Sequence, residues 1–146
     1  MLNVRAKPYR KVAYSSDGGE SWSALQDDKR LIDPDDNGSI IRYSERSDID
    51  AEAHWLVFSN TADTSHRRNL TVRLSCDDGA TWPIARTVDP GPAAYSTLAR
   101  LQDDRFALLY ERDEYKYMTI VTFDPSWVGP GCPLFPPNRF VNILRV

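Results

Sequence analysis

Three closely spaced aspartates, Asp33, Asp35 and Asp36, are of the residue type that binds cations. Calcium prefers carboxylate oxygens, but this stretch lacks the EF-hand pattern of ligands, so we expect a solvated loop. His54 and His66 have no partners at the spacing of metal ligands. The sequence therefore predicts no metal site and no cofactor.

The two cysteines, Cys76 and Cys132, are too few for a disulfide framework and do not match the spacing of zinc ligands. We expect both to be free thiols. This expectation leaves the redox compartment of the protein open.

Three other side chains are of types that active sites use, but residue type alone assigns them no role. Tyr95 by itself is a strand aromatic of the kind that is packed or half exposed in most proteins. Arg5 by itself is an ordinary surface arginine. Glu111 has Arg112 and Lys116 nearby, and surface ion pairs of this kind are weak and common. Any role for these residues depends on the pattern around them.

One short pattern occurs twice in the chain, at residues 15–22 and 75–82. Both copies fit Ser-x-Asp-x-Gly-x-Thr/Ser-Trp, which is too specific to repeat by chance. The aspartate can accept hydrogen bonds from turn amides, the glycine permits a positive φ, and the tryptophan returns apolar area to a sheet. We expect Trp22 and Trp82 to be packing residues. Repetition on this scale indicates a propeller or an array of small sheets.

The apolar periodicity is that of strands rather than helices. Leu70, Val72 and Leu74 alternate with polar residues, which is typical of a half-buried strand. Other short apolar runs are separated by clusters of Asp, Gly, Pro and Asn, one of which lies at 88–92. These features predict an all-β protein.

The strands fall into groups that predict a partial β-propeller. One group ends with the first repeat and the strand after it, a second runs from about 39 to 88, and a third runs from about 95 to 127. Each group would be a four-stranded antiparallel blade, which gives about two and a half blades. We divide the chain into a propeller part at 1–128 and a Pro- and Gly-rich C-terminal extension at 129–146.

The composition argues against two classes of partner. The 146 residues are 41% hydrophobic and 27% charged, and the formal net charge is -3. This balance argues against nucleic acid and gives no electrostatic case for a membrane surface. The longest apolar runs are too short to span a bilayer, so we expect no membrane span.

Several segments resemble those of sialidases (neuraminidases) of the bacterial and animal kind. Gly-Pro-Ala-Ala-Tyr-Ser-Thr-Leu at 91–98, followed by Leu-Leu-Tyr-Glu at 108–111, is similar to the family's Ala-Tyr-Ser-x-Leu and Leu-Tyr-Glu segment. Leu-Asn-Val-Arg at 2–5 and the stretch at 66–75 are similar to segments that carry active-site arginines. A departure is Thr61, where the family usually has proline. In this family the repeated pattern is the Asp box, which is diagnostic of a six-bladed propeller.

The resemblance implies a role for each matched residue. Tyr95 falls on the family's catalytic nucleophile. Glu111 falls on the glutamate that supports the first arginine of a triad, and that first arginine has no match in this sequence. Arg5 and Arg67 fall on the other two arginines, which bind the substrate carboxylate, and Arg68 is the alternative to Arg67.

The implied activity is that of a retaining exo-alpha-sialidase acting on sialylated glycoproteins, glycolipids or oligosaccharides. Sialic acid carries a carboxylate at its anomeric carbon, which guanidinium groups bind bidentately and which would repel a carboxylate nucleophile. A neutral tyrosine avoids that repulsion but needs an adjacent carboxylate base, because the pKa of a phenol is about 10. The family's acid/base aspartate, the glutamate beside the tyrosine and the first arginine are expected upstream, so we expect this fragment alone to be inactive.

A second hypothesis is a non-catalytic Asp-box propeller segment that binds glycans or serves as a scaffold. Such a segment would keep both Asp boxes without any need for Tyr95 or the arginines. The two hypotheses differ in whether binding of free sialic acid requires Arg5 and Arg67.

Overall fold

The computed structural model describes residues 1–43 and 54–130, together with the backbone of residues 142–145. These residues form a three-stranded sheet, a seven-stranded sheet and one turn of helix. The elements in chain order are β1 (Leu2–Val4), β2 (Tyr9–Ala13), β3 (Gln26–Ile32), β4 (Ser39–Arg42), β5 (Leu56–Thr61), β6 (Arg68–Ser75), β7 (Ile84–Arg100), β8 (Phe106–Arg112), β9 (Tyr117–Phe123), α1 (Pro125–Val128) and β10 (Asn142–Arg145).

The seven-stranded sheet consists of two antiparallel blades that share β7. Strands β4, β5, β6 and the first half of β7 form one blade, and the second half of β7 forms the next with β8, β9 and β10. The sheet β1–β2–β3 supplies three strands of a further blade, and each Asp box lies between the last two strands of its blade. This is the all-β partial propeller that the sequence predicts.

Strand β7 runs without a break through the cluster at 88–92, which the sequence indicated as a separator between strands. Asp89 stabilises this crossing: its Oδ1 accepts the Gly91 N–H at 2.8 Å, and its Oδ2 accepts the Tyr110 hydroxyl at 3.0 Å. The separator prediction was wrong because the Asp89 carboxylate and the Arg67 carbonyl accept the N–H groups of Gly91 and Ala93 where the strand leaves one blade and enters the next.

Strand β6 is buried on both faces, although its alternation predicted a half-buried strand. Its apolar face lies in the main core. On its polar face, Arg73 donates to Asn60 Oδ1 at 2.7 Å, and burial lowers the pKa of Arg73 to about 10. Asn60 also donates to the Ile32 carbonyl at 2.8 Å, so the end of β3 covers this polar face. The prediction failed because a second sheet packs over a polar surface.

The two Asp boxes share their hydrogen bonds but differ in burial. Asp17 and Asp77 each accept bonds from the serine hydroxyl two positions before and from the hydroxyl and N–H four positions after. Trp82 is 7% exposed, and its ring centre lies 5.7 Å from that of Phe58. Trp22 is 46% exposed, so the prediction that it is a packing residue is wrong for this chain.

Cys76 is disulfide-bonded, which corrects the expectation of a free thiol. The expectation rested on cysteine number and spacing along the chain, which do not report distance in the fold. Cys132 lies outside the described residues.

The segment predicted as a C-terminal extension contains a strand. Its residues Asn142–Arg145 form β10 and pair with β9. The division of the chain at residue 128 stays a prediction. Within the described ranges, no helix has the length and apolar character needed to cross a membrane.

The unequal burial of the two box tryptophans predicts unequal effects on stability. Trp82→Ala should lower the free energy of unfolding by about 3 to 5 kcal/mol, because it removes a large buried side chain. Trp22→Ala should lower it by less than about 1 kcal/mol, because an exposed side chain leaves little cavity. Urea unfolding of both variants measures this difference. Equal losses would contradict the assignment of Trp82 to the core.

Candidate active site

Four segments bring polar side chains together at one place. Arg5 directly follows β1, the acidic loop at 33–36 follows β3, and Arg67 directly precedes β6. Tyr95 lies in the second half of β7, just after the crossing between blades. Three of these groups lie beyond a strand end, so the sheets fix their backbones while the side chains face one another.

The Tyr95 side chain lies beside two guanidinium groups. The Cζ of Arg5 is 5.9 Å from the ring centre, and the Cζ of Arg67 is 5.1 Å from it. Arg5 Nη1 also donates to the Tyr95 hydroxyl at 3.2 Å. Tyr95 is 38% exposed, so solvent and ligands can reach this residue. The structure therefore brings the predicted nucleophile and both predicted arginines into one cluster.

Arg5 is held by the acidic loop. Its Nε donates to Asp35 Oδ1 at 2.9 Å, and both side chains are partly exposed. The hydrogen bond raises the pKa of Arg5 and lowers the pKa of Asp35. The pair directs the remaining donors of Arg5 toward Tyr95.

Arg67 has contacts on several sides, whereas Arg68 lies away from the cluster. Arg67 Nη1 donates to the Tyr115 hydroxyl at 3.0 Å, and its Nη2 donates to the Asp35 carbonyl at 3.4 Å. Arg68 instead donates through Nε to Asp63 Oδ2 at 2.6 Å, on a solvent-exposed surface. Of the two candidate arginines, the structure places Arg67 at Tyr95.

Glu111 contacts the backbone of the candidate nucleophile. Its Oε2 accepts the Tyr95 N–H at 3.1 Å. Glu111 and Arg67 also line a cavity of about 130 Å³ with Tyr115 and Ala94 among its other walls. The cavity borders Ala94, which precedes Tyr95 in the sequence, and it is large enough for a few atoms of a ligand.

Two of the three aspartates in the acidic loop are buried, so the prediction of a solvated loop is wrong for Asp33 and Asp36. Asp33 and Asp36 are both fully buried. Arg10 Nη1 donates to Asp33 Oδ2 at 2.8 Å, and Asn60 Nδ2 donates to the same oxygen at 2.9 Å. Asp33 Oδ1 accepts the N–H groups of Asp35 and Asp36, which fixes the turn. The described residues contain no group of three His, Cys, Asp or Glu side chains arranged to hold a metal.

Sequence reasoning missed three residues that contact the arginines. Asp35 and Asp36 were recognised as acidic, but their pairing with arginines distant in sequence had no local signal. Tyr115 lies in a turn where three consecutive residues, 113–115, have a positive φ, and nothing in its sequence context indicates this.

The comparisons with known proteins identify the family and the fold. Residues 1–122 match the family described as BNR repeat-like domain. The chain belongs to this family. A sialidase of Micromonospora viridifaciens is 42% identical over 128 residues, which are 87% of this chain and 20% of that protein. The chain therefore spans about a fifth of this relative's length.

Solved structures of the same fold include two enzymes described as intramolecular trans-sialidases. The enzyme from Ruminococcus gnavus, in complex with oseltamivir carboxylate, has a TM-score of 0.68 at 21% identity and covers 86% of this chain and 30% of its own. The leech enzyme, in complex with 2,7-anhydro-Neu5Ac, has a TM-score of 0.69 at 23% identity and covers 84% of this chain and 21% of its own. The resemblance to sialidases and the propeller fold are confirmed.

The bond that fixes the crossing before Tyr95 predicts a pH dependence of stability. Burial and the bond to Asp89 raise the pKa of Tyr110 to about 12, above the unfolded value of about 10. The resulting stability is fully present below about pH 10 and is lost as the pH rises toward 12. Between about pH 8 and pH 11, the wild type should lose about 1 kcal/mol more stability than Tyr110→Phe.

Urea unfolding at the two pH values measures this difference. Tyr117→Phe, at a tyrosine that is 54% exposed, serves as the control and should behave like the wild type. An identical pH response in the wild type and Tyr110→Phe would show that this bond does not contribute.

Proposed function

We propose that this chain supplies the nucleophile and two carboxylate-binding arginines of a retaining exo-alpha-sialidase. The observation that carries the proposal is the Tyr95 phenol beside the guanidinium groups of Arg5 and Arg67. The relative named a sialidase supports the class of reaction. Terminal sialic acid on glycoproteins, glycolipids or oligosaccharides is the proposed substrate.

The two arginines suit a substrate that carries a carboxylate next to its reacting carbon. Guanidinium groups keep their charge at all physiological pH values and present paired donors to a carboxylate. Arg5 and Arg67 are distant in sequence, but the guanidinium groups of both lie beside the Tyr95 ring. A carboxylate bound between them would bring the anomeric carbon close to the phenol oxygen.

Tyr95 suits the covalent step because it is neutral. In the proposed reaction its Oη bonds to the anomeric carbon while the bond from that carbon to the leaving oxygen breaks. The phenolic proton passes to a carboxylate base, and the leaving oxygen takes a proton from an acid. Water then releases sialic acid and restores the tyrosine. Arg5 donates a hydrogen bond to Oη, so it stabilises the negative charge that develops there.

The acid and the base are not matched by any segment of this sequence, so the proposed role of the chain is a share of the site. Glu111 is proposed to support the site by fixing the backbone of Tyr95, because its carboxylate accepts the Tyr95 N–H. Its predicted role as partner of the first arginine of the triad stays a prediction.

The carboxylate site predicts that binding of free sialic acid depends on Arg67 and not on Arg68. Arg67→Ala should weaken the affinity of the chain for N-acetylneuraminic acid about tenfold or more, the effect of losing a charge-assisted contact. Arg68→Ala should leave the affinity unchanged, because this side chain is paired with Asp63 away from Tyr95. An NMR titration measures both.

Arg5→Ala extends the titration and separates the two classes of function. Weaker binding in both Arg5→Ala and Arg67→Ala supports the sialidase site. Binding that survives both substitutions would favour the non-catalytic glycan-binding segment instead.

The nucleophile assignment predicts a covalent adduct in an active protein that contains this sequence. A fluorinated sialic acid with a good leaving group should label Tyr95 and no other residue, because fluorine slows release of the glycosyl intermediate. Tryptic peptides analysed by mass spectrometry locate the label, and Tyr95→Phe should abolish it. A label on another residue would overturn the assignment.

A further inference from the structure

A carboxylate-binding arginine must be held in one orientation, because ordering a free side chain on binding costs affinity. Arg67 lies at the end of a loop, and its side chain remains 32% exposed. Its outer contacts are the hydroxyl of Tyr115, which is 61% exposed, and a long bond to the Asp35 carbonyl. These two contacts do not explain how the Arg67 guanidinium is held on its buried side.

The group on the protein side is the carboxylate of Asp36. Its Oδ1 lies 3.6 Å from Arg67 Nε and accepts the Asn37 N–H at 2.9 Å. Its Oδ2 accepts the Thr61 hydroxyl at 2.9 Å. Both oxygens accept hydrogen bonds, and the side chain is fully buried. Burial raises the pKa of the Asp36 carboxyl group, and the Thr61 hydroxyl and the Arg67 charge oppose this rise.

Asp36 itself cannot move easily. Arg10 Nη1 donates to its carbonyl at 2.8 Å, and Asp33 Oδ1 accepts its N–H at 2.7 Å. Arg10 and Asp33 therefore fix the backbone of Asp36, while the Asn37 N–H and the Thr61 hydroxyl fix its carboxylate. By contrast, Asp35 is 49% exposed, so the ion pair that holds Arg5 is open to solvent screening.

We propose that Asp36 is a positioning residue for Arg67 and that Thr61 fixes its carboxylate in the orientation that faces the guanidinium. The proposal rests on the proposed function, because it gives Arg67 its place in the carboxylate site.

The test follows the Nε–H group of Arg67 by NMR in the isolated chain, with its resonance assigned from the loss of signal in Arg67→Lys. In Asp36→Asn and in Thr61→Val, exchange of this hydrogen with water should accelerate about fivefold, as expected for loss or misalignment of one partly exposed ion pair. Thr61→Ser keeps the hydroxyl and should restore slow exchange. A purely structural role for Thr61 would not distinguish serine from valine in this way.

Asp63→Asn is the matched control, since it removes the charge that pairs with Arg68 on the same loop. It should leave the Arg67 Nε–H unchanged. Thermal unfolding identifies any variant that loses its fold, and Thr61→Val keeps the test available if Asp36→Asn does not fold. Unchanged exchange at Arg67 in the folded variants would overturn the proposal.

Titration with N-acetylneuraminic acid separates this proposal from the proposed function. Weaker binding in Asp36→Asn with faster Arg67 exchange supports both. Absence of binding to the wild type contradicts the proposed function, while the exchange measurement still decides the role of Asp36.

Discussion

The buried ion pair between Arg10 and Asp33 is the interaction on which the candidate site depends. Its atoms lie 2.8 Å apart, and both side chains are almost inaccessible to solvent. Taking two charges out of water is costly, and loss of one partner of such a pair typically costs about 3 to 5 kcal/mol. Here the remaining hydrogen-bonding capacity is used: Arg10 also donates to Asn3 and to the Asp36 carbonyl, and Asp33 also accepts from Asn60. The pair therefore fixes β2, the loop after β3 and β5 relative to one another.

The exposed side chains of the candidate site, Arg5, Arg67 and Tyr95, are positioned by this buried network. Asp33 fixes the backbone of the next residues, so that Asp35 faces Arg5 and Asp36 faces Arg67. The two arginines then lie against Tyr95, which comes from a different blade. The buried Arg10–Asp33 pair thus supports a surface on which two guanidinium groups lie beside a neutral phenol. This arrangement is suited to an anionic sugar.

The sequence predicted the features that depend on local pattern. Strand spacing and the two Asp boxes indicated the partial propeller, and the motif around Tyr95 led to residues that the structure places together. It did not predict contacts between distant segments. The burial of the polar face of β6 could not be predicted, because the residues that bury it lie at the end of β3. The acidic loop was predicted to be solvated because its partners Arg10 and Asn60 are remote in sequence. Trp22 and Trp82 have the same local pattern, and only their neighbours in the fold distinguish them.

The most direct test of this account is a crystal structure of the chain with N-acetylneuraminic acid bound. In this crystal structure the sugar carboxylate should contact the guanidinium groups of both Arg5 and Arg67. The anomeric carbon should lie next to the Tyr95 hydroxyl, and the loop at 33–36 should be unchanged. A sugar bound away from Tyr95, or a carboxylate bound without either arginine, would contradict it.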